Sequence, residues 1–305
     1  MANFKVTKKI HIISIYIALL ALALIVLAPF AWMITTSLKE PGTVFEYPPK
    51  WIPQPLTWQN YTRVWDAIPL GRGYINSLFV SLLITLGQLI TCSLAAYAFS
   101  RLKFPGRNKI FFLYLATLMV PTHVTMIPIF IILRALPEFL NSAFRTNFWT
   151  SDLYMGNFYV GKPLGLDSYF ALIVPFCFSA YGTFLLRQFF ITIPKDYEDA
   201  ARMDGCNDFQ IYYKIILPLA KPALATLATF TFMNAWKNYL WPLIIANSPE
   251  LMPLSVLLQW LQGLYTTDWT LLMAGSVIVL LPVVIVFSIN QKYFSHAMHV
   301  GTITH

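Results

Sequence analysis

Charge is what this chain has least of. Asp, Glu, Lys and Arg make up only 11% of its 305 residues, against 57% hydrophobic and 16% aromatic, whereas a soluble domain carries about a quarter charged residues. An ordinary water-soluble domain is excluded by that balance. Cysteine is also scarce: Cys92, Cys177 and Cys206 lack metal-ligand or redox spacing and leave one over from any pairing, so neither a disulfide scaffold nor a zinc site is expected. There is no Gly-x4-Gly-Lys-Ser/Thr phosphate loop, no HExxH and no nucleophile arrangement, and no repeat or low-complexity tract. The chain is therefore not expected to be an enzyme or to hydrolyse ATP alone, and no catalytic residue, metal ligand or bound cofactor is assigned.

What is abundant is uninterrupted apolar sequence, and a bilayer-crossing helix needs about 20 such residues. Five stretches free of Asp, Glu, Lys and Arg qualify, and a sixth is broken only by Lys237. The pattern predicts an all-α polytopic membrane protein with six transmembrane helices in a single domain over 1–305. The expected spans are about 12–37, 75–100, 110–133, 168–186, 222–247 and 269–291, with an inner segment at 187–221 and outer loops at 38–74, 134–167 and 248–268. Lys5, Lys8 and Lys9 precede the first span, but Phe30, Trp32 and Met33 replace a small-residue cleavage site, so it is read as retained.

Orientation follows from where the basic residues lie, because positively charged connections stay on the cytoplasmic side. With the N-terminus inside, the inner segments carry 13 of the 21 Lys and Arg, and the outer loops carry 8 of the 13 acidic residues. Both termini are expected in the cytoplasm. The net charge of +8 is thus a topology signal and no nucleic-acid partner is expected. The outer loops are rich in Pro, Trp and Tyr, which suits an interfacial belt or a folded cap.

The inner segment 187–221 departs from its surroundings, with five basic and five acidic residues. Pro194 suits a first helical turn, and Asp196, Glu198 and Asp199 follow where carboxylates favour the positive end of a helix dipole. Gly205 supplies a stop. Asn207 or Asp208 then caps a second helix whose Phe209, Tyr212 and Ile216 share one face, ended by Pro218. The spacing of Asp199-Ala200-Ala201, Gly205 and Ile215-x-Leu217-Pro218 resembles the EAA motif of the membrane subunits of binding-protein-dependent ABC importers. Further residues extend the likeness: Asn76-Ser77-Leu78, the run from Ala95 to Arg101, Phe104-Pro105-Gly106-Arg107, Met119-Val120-Pro121, Ile127-Pro128, Leu164-Gly165-Leu166, Gln291-Lys292-Tyr293-Phe294 and Val300-Gly301. They are similar to the sugar-importing branch, and within it to the maltose-type second permease.

That resemblance implies a type I ABC importer permease (MetI-like) fold in a bacterial inner membrane. It also implies a second homologous permease, two ATP-binding subunits that hold ATP and Mg, and an external solute-binding protein. In the family the two-helix element inserts into a cleft on the ATPase subunit; here that assigns Glu198, Asp199, Ala200, Ala201, Arg202, Asp204, Gly205, Ile215, Leu217 and Pro218 to the coupling loop. Three departures stand out: Asp199 replaces the usual Glu, Trp236-Lys237-Asn238-Tyr239 is unusual in the fifth span, and the loop before Leu164 is longer than the family's. The tail from Ser295 to His305 is a further expected ATPase contact.

Thr231, Asn234, Lys237, Asn238 and Trp241 recur at three- and four-residue steps, which predicts one polar stripe along the fifth helix. A lysine inside a span costs roughly 2.5 to 3.5 kcal/mol on insertion scales, so this stripe is expected to line a translocation path. It suits a carbohydrate, with Lys237 leaning toward an acidic one; the alternatives are snorkelling and helix packing. His123, between Pro121 and Pro128, is expected to be structural. No Asp or Glu lies in the expected spans, which argues against the alternative class, an ion-coupled secondary transporter.

Overall fold

The computed structural model describes residues 2–156, 158–263 and 267–299, and side chains over 11–156, 159–263 and 267–291. In chain order it contains α1 (Ala2–Ser37), α2 (Gln59–Ala67), α3 (Leu70–Arg101), α4 (Arg107–Ala116), α5 (Thr122–Phe144), β1 (Leu153–Met155), β2 (Phe158–Gly161), α6 (Tyr169–Ile173), α7 (Ala180–Thr192), α8 (Asp196–Met203) and α9 (Asp208–Ile211). A π-helical turn (Tyr212–Ile216) follows, then α10 (Leu217–Leu219), α11 (Lys221–Lys237), α12 (Leu240–Ile245), α13 (Leu254–Trp260) and α14 (Trp269–His299). Among the described residues, four helices are long and apolar enough to cross a membrane, or up to six if each of two bent pairs forms one span. The pairs are Tyr169–Phe176 with Ala180–Thr192, bent by 41°, and Asp208–Leu219 with Lys221–Lys237, bent by 78°. Among the described residues the fold is all-α apart from one small hairpin, as the apolar runs predict.

Several helix boundaries differ from the sequence expectation: α3 starts at Leu70, and the span expected over 168–186 is split between α6 and α7 and runs on to Thr192. The stretch expected as a span over 110–133 is broken at Pro121, whose extended backbone separates α4 from α5. The second piece then runs on to Phe144, so Arg134 and Glu138 are helical although they fall in the expected outer loop. The fifth span ends as a helix at Lys237, because Asn238 turns extended (φ −63°, ψ 119°) and α12 starts afresh.

The chain's contacts group into two compact units, Met1–Ile68 with Leu258–Leu281, and Pro69–Leu257 with Pro282–His305. In the first, α1 is exposed and apolar on every side over 11–31, the pattern of a helix whose surroundings are lipid or another subunit. Its end is tied down by Asn60, whose buried amide donates to the carbonyls of Ser37 and Lys39 at 2.9 and 2.7 Å. Asp268 caps α14 by accepting from the backbone N–H of Thr270 and Leu271 and pairs with Arg63 at 2.8 Å.

In the second unit, α3, α7 and α11 pack through small residues. A Cβ on Gly87 would lie 2.5 Å from Cys177 Sγ, and one on Gly182 would lie 3.0 Å from Cys92 Sγ. Close backbone approach of this kind replaces the hydrophobic drive that apolar surroundings cannot supply. Asn76 donates to the Glu250 carbonyl at 2.7 Å and accepts from the Tyr169 hydroxyl at 2.7 Å.

Asp167, which takes a positive φ of 58° and is buried, organises the cap between β2 and α6. Its Oδ1 accepts from the Asn247 and Ser248 amides at 2.9 Å, and its Oδ2 accepts from Tyr159 at 2.8 Å and from the Ser248 hydroxyl. Burial alone would raise its pKa, but the Ser248 bonds, then Tyr159 and Asn247, bring it below the ordinary carboxylate value. A lowered folded pKa means stability that is complete above the unfolded carboxylate's range, about pH 4, and is lost as the pH falls through the folded value. We predict that Asp167→Asn lowers stability by about 1–3 kcal/mol at pH 7. The gap to the parent protein should close toward pH 3 in melting curves taken in detergent, and an unchanged gap would contradict this account.

Candidate functional site

The segment after α7 builds the two-helix element expected from the sequence, and each local feature has a visible cause. Asp196, Glu198 and Asp199 occupy the first turn of α8. Gly205 reverses the chain at φ +82° with open space where a Cβ would sit, so glycine is required there for backbone conformation alone. Asn207 caps α9 in a capping box: its side chain accepts from the Gln210 amide at 2.9 Å, and the Gln210 side chain accepts from the Asn207 amide at 2.9 Å. Arg202 reaches across the turn to Asp208 Oδ1 at 2.5 Å.

The second helix buries Ile211, Tyr212, Ile216 and Ala220 against Ala96, Tyr97, Leu186 and Phe190. Phe209 does not share that face. It is 67% exposed, with its ring 5.9 Å from that of Tyr212 at the edge of the buried stripe. The Tyr212 hydroxyl meets Ser93 of α3 at 2.7 Å, which binds this helix to the bundle.

One residue outside the segment holds the whole corner. Arg101, the last residue of α3, donates from Nη2 to the carbonyls of Phe190 and Ile193 at 2.5 and 2.7 Å, satisfying the end of α7. Its Nε lies 2.9 Å from Glu198 Oε1, a contact of charge rather than a directed hydrogen bond. The two side chains are only 4% and 8% exposed. The guanidinium fork therefore joins α3, α7 and α8 in a single contact.

Of the residues assigned to the coupling loop, Asp199, Ala200, Arg202, Asp204, Gly205 and Pro218 are exposed, and Ile215 and Leu217 are half-buried. Glu198 and Ala201 are buried inward, so neither is presented to a docking partner. Sequence reasoning missed Arg101 as a site residue; its signal was a lone basic residue closing an apolar span, next to a segment rich in carboxylates.

The expected stripe of the fifth helix is divided. Thr231, Asn234 and Asn238 line a cavity of about 350 Å3 together with Gln88, Ser179 and Tyr181. Gln88 is fixed there by donating to the Phe176 carbonyl and accepting from Thr231, both at 2.8 Å. Trp241 lies elsewhere, buried with its indole N–H on the Ala171 carbonyl at 2.9 Å. Lys237 ends α11 in an exposed position outside the cavity lining. His123 is exposed in the first turn of α5 and is not packed into a core. Tail residues 300–305 lie outside the described residues. Among the described residues, no group of three or more His, Cys, Asp and Glu is placed to hold a metal.

Residues 88–300, which include Arg101 and the whole two-helix element, match the family described as binding-protein-dependent transport system inner membrane component. The chain belongs to this family. It is 34% identical over 82% of its length to the arabinooligosaccharides transport system permease protein AraQ of Bacillus subtilis (strain 168), covering 79% of that protein. It is 31% identical to the sn-glycerol-3-phosphate transport system permease protein UgpE of Yersinia pestis bv. Antiqua, over 92% of each chain. A chain from the crystal structure of a bacterial ABC transporter involved in the import of the acidic polysaccharide alginate superposes with a TM-score of 0.77 at 27% identity, over 94% of this chain and 98% of that one. This protein is thus a multi-pass membrane permease of the ABC importer class, and the ion-coupled carrier is not favoured.

Removing one partner of a buried ion pair costs about 3–5 kcal/mol because the other charge stays buried. Arg101→Ala should therefore destabilise the protein by that order in detergent unfolding, and combining it with Glu198→Met should recover part of the loss. Equal stability of Arg101→Ala and the parent protein would remove Arg101 from this role.

Proposed function

We propose that this chain is one of two pseudo-symmetric permease subunits of an ATP-driven importer of oligosaccharides, with an acidic oligosaccharide favoured over a neutral one. ATP and Mg are bound and consumed on two separate subunits, and an external solute-binding protein delivers the cargo. The chain lies in the bacterial inner membrane with both termini in the cytoplasm, so that 187–221 faces the ATPase subunits. The observation that carries this reading is the exposed Asp199-Ala200 surface mounted on a corner that Arg101 bolts to α3 and α7.

The physical argument is one of leverage. Ala200 adds no bulk, so a partner surface can approach closely, while Asp199 accepts charge-assisted hydrogen bonds from a partner Arg or backbone N–H. Closure of the ATPase pair on ATP pushes this face. Because α8 is joined through Glu198 to the last turn of α3 and the end of α7, the push rotates those helices instead of bending a tether, and the bundle passes from inward- to outward-facing.

The substrate reading rests on three relatives whose names concern arabinooligosaccharides, sn-glycerol-3-phosphate and alginate, all polyhydroxylated and two of them anionic. The cavity lined by Thr231, Asn234 and Asn238 offers amides and a hydroxyl of the kind that pair with sugar hydroxyls. Lys237 does not line it, so the preference for an acidic cargo rests on the relatives' names.

The complete assembly in vesicles, with its binding protein outside and ATP inside, should accumulate an acidic oligosaccharide and show solute-stimulated ATP hydrolysis. Asp199→Arg and Gly205→Val should abolish copurification of the ATPase subunits; if these subunits copurify as with the parent protein, the docking assignment is wrong. Accumulation of solute by the isolated chain without nucleotide would overturn the importer reading itself.

A further inference from the structure

Beside the coupling element lies a cavity of about 1020 Å3 whose walls come from the α3–α4 connection on one side and α8 on the other. Four cations line it without an ion pair among the described residues: Lys103, Arg107, Lys109 and Lys195. Two of the three carboxylates that share the cavity are already taken, Glu198 by Arg101 and Asp208 by Arg202. Only Asp199, on the far rim, remains against the four positive charges.

The cationic wall is pre-set. Gly106 turns the chain at φ +77°, and the Arg107 Nη1 donates to the Leu102 carbonyl at 3.0 Å, which fixes that side chain at the mouth. Immediately beyond it, α4 presents Ile110, Phe112 and Leu113 outward, at 49%, 71% and 68% exposure. A concave cluster of cations therefore borders an apolar helix surface that begins within one turn of it. A soluble anion matches the first feature only; an amphiphile with an anionic head and acyl chains matches both.

We propose that the concave surface formed by Lys103, Arg107, Lys109 and Lys195 holds the headgroup of an anionic phospholipid, with an acyl chain along Ile110 and Leu113. From the preceding section this takes only the placement of 102–109 at a membrane surface. The lipid fills the space between the α3–α4 connection and α8, so it would brace the corner that Arg101 holds with Asp199 at its rim, while Ala200, which does not line the cavity, stays open to the ATPase subunit.

The test uses the assembled transporter in neutral detergent, titrated with short-chain phosphatidylglycerol or phosphatidylcholine, with retained lipid read by native mass spectrometry. Each of Lys103→Gln, Arg107→Gln and Lys109→Gln should weaken phosphatidylglycerol retention about fivefold at low salt. Lys103→Arg and Lys109→Arg should retain it, and phosphatidylcholine should bind weakly to all. Equal phosphatidylglycerol retention by the triple Gln variant overturns the proposal. So does equal retention of phosphatidylcholine by the parent protein, or displacement by millimolar inorganic phosphate, which would make the site one for a soluble anion. Failure of the importer reading looks different: the parent assembly would then show no solute-stimulated ATP hydrolysis, whatever lipid it holds.

Discussion

A guanidinium group buried at a helix end must be surrounded by acceptors or it does not stay there, and this requirement shapes the inner half of the chain. Arg101 is nearly inaccessible, so its charge and donors have to be answered by protein groups. The answer is assembled from two other elements: the terminal carbonyls of α7 and the carboxylate of Glu198 on α8. Moving α8 away would leave two buried charges and a frayed helix end. The corner is thus held by more than hydrophobic contact, since the guanidinium fixes direction through its two hydrogen bonds to the end of α7 and holds α8 through a buried charge pair with Glu198.

Stiffness at the corner contrasts with the chain on its other side. After α9 comes a π-helical turn, and then a bend of 78° into α11. A π-helical turn leaves one residue more per turn than the helices around it and commonly marks places where a helix is asked to change register. Here it sits between the two-helix element and the helix whose Thr231 and Asn234 line the cavity of about 350 Å3. The element is therefore rigidly attached on the α3 and α7 side and connected to α11 through the irregular turn, so that a push on α8 is felt first by α3 and α7.

Much of this was legible in the sequence, and the misses have specific causes. Apolar run length revealed the helices, and the Gly205 turn, the first-turn acids and the Asn207 cap were readable because each depends on a few adjacent residues. What failed was continuity. A run free of charge does not report whether a helix persists through Pro121 or past Lys237, because lipid and protein surroundings tolerate apolar residues in either conformation. The polar stripe through Thr231, Lys237 and Trp241 presumed one unbroken period of 3.6; the extended residue at Asn238 sent Trp241 into a core, while Lys237, six residues after Thr231 in the same helix, falls outside the cavity lining. Arg101 was hidden for a different reason: its partners lie 89 and more residues away in sequence, and pairing at that distance leaves no local pattern.

The loss of Lys237 from the cavity changes what that cavity can select. Gln88, Ser179, Tyr181, Thr231, Asn234 and Asn238 bring amides and hydroxyls but no charge. Such a wall distinguishes a hydroxylated solute from an apolar one, since each unpaired group left behind by a poor fit costs on the order of 1–3 kcal/mol. It has no means of telling an acidic sugar from a neutral one of the same shape. If solute passes along this wall, discrimination by charge must come from groups elsewhere in the assembly. An uncharged lining has its own advantage for transport, because a fixed cation strong enough to select an anionic saccharide in low-dielectric surroundings would also hold it back from release.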